Sequence, residues 1–258
     1  MTRVVQLLSV LAVIAVPAAG WFVGDWSGGT TLAVYWFETI AASLFIAGRI
    51  VVHQRWTPRR GHFKYEAPTA TRRGSRSSSF VTGFLVTSLV FCAAHGLFLA
   101  LILFMLDRNG DAGLAEIDWR SVGFGCVSVV GFLAIDFLMD LLSLRRWSFW
   151  QIEQTANQGL SRVVVVHLTL ILGLFCIAIT GAPNALFGVF VVLKTLASLS
   201  TALPQWEPAT APQWLSSVMN RLPNAHRGRR FEEVWAEDRA DEIERRARND
   251  KPWADARR

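Results

Sequence analysis

Charge is scarce in this chain. Only 18% of its 258 residues are Asp, Glu, Lys or Arg, where a soluble domain carries about a quarter. Cysteine is scarcer still: Cys92, Cys126 and Cys176 are the three present. An odd number of thiols, each inside an apolar run, argues against a disulfide framework, and their spacing matches no zinc motif. Paired H-x-x-x-H and H-E-x-x-H helix motifs are absent, so the usual helical zinc-protease pattern is excluded. Zinc-finger, helix-turn-helix and RNA-binding aromatic patterns are also missing. The net charge of +6 therefore does not point to nucleic acid. No internal repeat is visible.

What the chain has instead is long apolar sequence. Hydrophobic residues make up 52% of it, and six runs are each long enough to cross a bilayer, which takes about 20 residues. They lie at about Val4–Val23, Thr30–Val52, Phe80–Leu106, Val122–Leu142, Val163–Thr180 and Ala185–Leu203. Of the eleven tryptophans, eight (Trp21, Trp26, Trp56, Trp119, Trp147, Trp150, Trp206 and Trp214) lie at or near the ends of these runs, as expected of side chains that settle at the headgroup boundary. The expected fold is all-α: an integral membrane bundle of six transmembrane helices over residues 1–203, followed by a charged, partly helical C-terminal tail over 204–258.

Loop charge sets the orientation. The segment His53–Ser79 holds Arg55, Arg59, Arg60, Lys64, Arg72, Arg73 and Arg76, and the next loop on that side adds Arg145 and Arg146. The opposite loops hold only Arg108 and Arg120, beside several acids. The positive-inside rule then puts both termini in the cytoplasm of a bacterial inner membrane. Arg3 and Val16-Pro17-Ala18 also resemble a signal peptide, but the apolar run continues through Trp21-Phe22-Val23, which favours a retained helix. In the tail, Pro204, Pro208 and Pro212 break the last span, Gln213–Met219 reads as a short interfacial stretch, and Phe231–Ala247 reads as a charged, solvated helix. Docking of the tail on anionic lipid or on a partner protein is the alternative.

Six ionisable residues fall at lipid depth: Glu38, His95, Asp136, Asp140, His167 and Lys194. An Asp or Lys at a helix centre costs about 2.5 to 3.5 kcal/mol on insertion scales. Such groups turn inward and find partners. Glu38 and His95 share an outer level; Asp136, Asp140 and His167 share an inner one, with Lys194 near the middle. Asp136 and Asp140 are one turn apart on one helix face. Arg49 is read as snorkelling to the inner surface, Asp140 as near a hydrated border, and His167 as a capping residue as readily as a ligand. Three accounts stay open: ion pairs that only fix helix register, a divalent-metal site, or a proton or ion path.

Tyr35-Trp36-Phe37-Glu38, His95-Gly96-Leu97-Phe98, and Arg162–Leu168 running on through Gly173, Gly181-Ala182-Pro183 and Lys194-Thr195 resemble a family of uncharacterised bacterial multi-pass membrane proteins with a Tyr-Trp-x-Glu motif. The similarity spans about residues 15–200. The chain departs from the pattern at Ala94, where that family has an aromatic beside the histidine, and at Ser198, where it has an acid. Those departures weaken a metal site. The resemblance implies no activity, but adds weight to Glu38, His167 and Lys194. The leading expectation is a small transporter- or channel-like protein with Glu38 and Asp136 as proton or cation sites and Lys194 as counter-ion. A scaffold whose tail recruits a partner is the alternative, and a metal-dependent intramembrane hydrolase the third. Beyond the lipid bilayer and the tail contacts named above, no partner is expected, nucleic acid least of all; cofactor, metal and oligomeric state stay open.

Overall fold

The computed structural model describes residues 15–16, 19–20, 23–68, 79–108, 112–161, 164, 168, 208–221 and 228–253. Among them the elements are helical. In chain order they are α1 (Gly28–Trp56), α2 (Arg60–Phe63), α3 (Phe80–Arg108), α4 (Ala112–Ala115) and α5 (Trp119–Leu144). They continue with α6 over residues 149–161, then α7 (Gln213–Met219) and α8 (Phe231–Asn249).

Among the described residues, α1, α3 and α5 are long and apolar enough to cross a membrane. They coincide with the second, third and fourth expected spans. The first, fifth and sixth expected spans lie outside the described residues or reach them only at scattered positions. Lipid contact follows from the surfaces of α3 and α5. Val90, Leu97 and Phe104 on α3, and Phe124, Val127 and Leu142 on α5, are exposed. Contiguous apolar surface of this kind suits acyl chains and not water.

Helix α1 is the centre of the assembly, packed against both α3 and α5. Its start is set by Ser27, whose hydroxyl accepts from the Thr30 amide at 3.1 Å, one of the four donors a helix start leaves unpaired. Two apolar cores form along it. At one end Val34 and Ala41 pack with Val129 and Leu133 of α5. At the other, Ile46, Ala47 and Ile50 meet Phe80 and Phe84 of α3, Leu144, and Phe149, Ile152 and Ala156 of α6. Small residues permit the close approaches, as is usual between membrane helices. A Cβ on Gly125 would lie 2.9 Å from Val34, and one on Gly96 would lie 3.0 Å from the Trp36 ring. The Trp36 indole N–H also donates to the Cys92 carbonyl at 2.9 Å.

The expected polar loop from His53 onward is largely structured. Helix α1 continues through Trp56, and residues 57–66 fold back as a plug beneath the bundle. Helix α8 is docked against that plug, which corrects the expectation of a solvated tail helix. Its own start is capped from α7's end: Asn220 Oδ1 accepts from the Phe231 amide at 2.8 Å. Glu232 and Glu233 in its first turn and Arg246 and Arg248 in its last suit the helix dipole.

Candidate functional site

One residue on α1 holds two on α5. Arg49 Nη2 donates to Asp136 Oδ2 at 2.6 Å, and Arg49 Nε donates to Asp140 Oδ2 at 2.7 Å. Helical periodicity creates the geometry: Asp136 and Asp140 are four residues apart, so both carboxylates project from one face toward α1. Arg49 is buried, at 4% exposure. This overturns its expected role as a snorkelling side chain. The physical reason is the neighbouring helix, whose two carboxylates offer the guanidinium fork charged acceptors that lipid lacks. Asp140 is also buried, at 7%, and not hydrated at a border. Phe137, between the two acids, lies under the guanidinium, with Arg49 Cζ 5.6 Å from its ring centroid.

The other expected residues sit elsewhere. Glu38 is on α1, half-buried, about 16 Å along the helix from Arg49 at 1.5 Å per residue. His95 is on α3 and buried. The contact between Trp36 and Gly96 sets α1 and α3 side by side near these two residues, so Glu38 and His95 share a level remote from the triad. His167 and Lys194 lie outside the described residues. Among the described residues no three His, Cys, Asp or Glu side chains converge as metal ligands.

One turn beyond Arg49, a second buried cluster begins. His53 and His62 are both fully buried, with His53 Nδ1 3.0 Å from His62 Nε2. The outer partners fix the tautomers. The Arg59 amide donates to His62 Nδ1 at 3.1 Å, so His62 carries its proton on Nε2 and donates to His53 Nδ1. His53 Nε2–H then donates to the Trp147 carbonyl, 3.0 Å away. Both imidazoles are neutral in this chain of bonds. Burial, with the neighbouring His53 next, pushes His62 down to about 3.

The third cluster joins α6, the plug and α8. Arg245 Nη1 lies 2.9 Å from Glu153 Oε1, and its Nε donates to Glu242 Oε2 at 2.7 Å. Tyr65 Oη donates to the same Glu153 oxygen, while the Glu66 carbonyl accepts from Arg245 Nη1 at 2.7 Å. Burial, then the adjacent Glu153 charge, holds the Tyr65 hydroxyl protonated well above its ordinary range. Burial acts to raise Glu242, but hydrogen bonds from Arg245 and Arg246 outweigh it and hold that carboxyl low. Sequence reading missed this cluster because Glu153 and Arg245 are 92 residues apart. Arg49 did carry a signal: an arginine one helical turn from His53, on a largely apolar helix, marks a polar stripe.

A sequence profile for a family of unknown function, DUF6498, matches residues 1–215. The chain belongs to that family. The match includes the whole triad and the His53–His62 pair and stops before α8. It agrees, at the level of an uncharacterised family, with the resemblance drawn from Tyr35–Glu38 and Arg162–Leu168. No curated protein and no solved structure matches the chain.

Proposed function

We propose that this DUF6498 member is a small transporter- or channel-like membrane protein whose proton- or cation-binding centre is Arg49, Asp136 and Asp140. The observation that carries the reading is the charge count of the triad. Two carboxylates share one guanidinium inside two helices apolar enough to span a bilayer. Fully ionised, that set carries one surplus negative charge at a depth where ionic groups are expensive. One proton or one small cation satisfies it. Asp136, with 22% of its side chain exposed against 9% for Asp140, is the more accessible entry point. Glu38 is a second candidate binding group at the other level; Lys194 and His167, which lie outside the described residues, remain candidates in addition to these.

The same reading puts the protein in a bacterial cell membrane with the α2 and α8 end cytoplasmic. Arg55, Arg59, Arg60, Arg145 and Arg146 gather at that end, whereas Asp25, Glu116 and Asp118 lie at the other. That asymmetry is the one membrane insertion follows.

The test is proton and alkali-cation flux into proteoliposomes for wild type, Asp136→Asn, Asp140→Asn and Glu38→Gln. Flux in wild type that collapses in Asp136→Asn supports the reading. Equal rates in all four proteins, or no wild-type flux above empty vesicles, remove it.

A further inference from the structure

At the end of α1 an open cavity of about 800 Å³ is lined by Val51, Gln54, Arg55, Arg59, Phe63 and Trp253, among others. Its lining contains two arginines and no carboxylate. Arg55 is exposed, and among the described residues no acid pairs with it. Arg59 is only partly engaged. Its Nη1 donates to the Asp250 carbonyl at 3.1 Å; its buried Nε makes no hydrogen bond among the described residues and stands 3.8 Å from Asp250 Oδ1 in a long ion pair. One wall is aromatic, with Trp253 stacked on Phe63 at 5.1 Å between centroids and 23° between planes. Lys64 Nζ lies 5.4 Å from the Trp253 ring centroid and adds a third cation at the rim.

The level of the cavity in the membrane follows from length. The 29 residues of α1 extend about 43 Å, against about 30 Å of hydrocarbon, so its last turns reach the headgroup layer. Val51 is the lining residue of α1 farthest from the helix end, and Arg55 and Trp56 stand about one turn farther out. Trp56, with Arg145 Cζ 4.8 Å from its ring, is an interfacial side chain by type and place. The cavity thus pairs an apolar inner lip with a cationic outer lip. A phospholipid has the same polarity along its length.

We propose that this cavity binds the headgroup phosphate of an anionic phospholipid from the surrounding bilayer, with Arg55 as its principal ligand and Arg59 as its second. The site is composite. Trp253 and Pro252 come from the tail, which is pinned there by Trp253 N donating to the Pro58 carbonyl at 3.1 Å and Arg60 N donating to the Lys251 carbonyl at 2.8 Å. Lipid binding and tail docking therefore favour each other, because each completes a wall the other needs.

The experiment uses the full chain in phosphatidylcholine nanodiscs with or without phosphatidylglycerol, with inorganic phosphate added to a third sample. Thermal stability and protease release of the segment 228–253 are read in each. Phosphatidylglycerol raises the midpoint and slows release; phosphatidylcholine alone does neither. Arg55→Gln, an exposed change that leaves the fold intact, weakens the apparent phosphatidylglycerol affinity about tenfold. Trp253→Ala weakens it too and speeds release of the tail. Equal protection of wild type and Arg55→Gln overturns the proposal. Protection by inorganic phosphate that matches phosphatidylglycerol overturns the lipid source.

Discussion

The carboxylate of Asp250 accepts a hydrogen bond from the Phe149 amide at 2.7 Å, so a residue just past α8 caps the start of α6. The first amides of a helix lack partners within it, and here the partner comes from 101 positions away. A tail read from sequence as solvated is thereby tied into the packing of the membrane helices.

Removing that cap has a defined cost. Asp250→Ala loses about 1 kcal/mol, the usual value of a side-chain cap. It also raises hydrogen exchange at the amides of residues 149–151 while leaving α3 protected. Unchanged exchange there would mean that the cap contributes nothing.

The triad gives a contrast between breaking and replacing an ion pair. Arg49→Met leaves two carboxylates buried together and destabilises the detergent-solubilised protein by about 3 to 5 kcal/mol. The triple variant Arg49→Met, Asp136→Asn, Asp140→Asn regains most of that loss, because no ion is left unpaired. Thermal unfolding of the two variants side by side checks this, and a triple variant as weak as the single one contradicts it.

His62 makes stability depend on pH. Its folded value of about 3 lies below the ordinary 6.5, so below about pH 6.5 the unfolded chain binds a proton that the folded chain refuses. Stability is therefore lost as pH falls through that window. Between pH 6.5 and about 5 the loss approaches 2 kcal/mol, at 1.36 kcal/mol per unit. His62→Gln keeps a donor toward His53 and removes the titration. Its unfolding midpoint should drop less than that of wild type between neutral pH and pH 5, and parallel profiles would refute the assignment.

Packing between α1 and α3 is equally specific. A Cβ at Gly96 would sit 3.0 Å from the Trp36 ring, so Gly96→Val forces the indole aside and breaks its bond to Cys92. The expected loss is about 1 to 3 kcal/mol. Gly131, with nothing within 4 Å of its Cβ position, is the control: Gly131→Ala should leave the midpoint within a few tenths of a kcal/mol or raise it, since alanine favours helix.

Much of the site was legible in part. Asp136 and Asp140 stand out because four-residue spacing in an apolar run leaves two carboxylates on one face with nothing local to neutralise them. Their partner was hidden. Lys194 and Arg49 are both cations in apolar runs of the sequence; Lys194 lies outside the described residues, and it is the packing of α1 against α5 that brings Arg49 to the pair. The histidine pair was hidden for a related reason: His53 follows the last apolar residues of α1 and reads as the start of a loop, although the helix runs on to Trp56 and buries it against His62 and the Trp147 carbonyl.

Hydropathy and length alone determined that α1, α3 and α5 are helices long and apolar enough to cross a membrane, because a run of apolar side chains long enough to span lipid has few other low-energy states. Periodicity alone put Asp136 and Asp140 on a common face. Tertiary structure decided which cation meets them, which histidines touch, and that the acidic and basic tail folds back onto residues 57–66. Those outcomes rest on contacts between residues far apart in the chain, where local spacing carries no energy and only the docking of whole helices brings charge to charge.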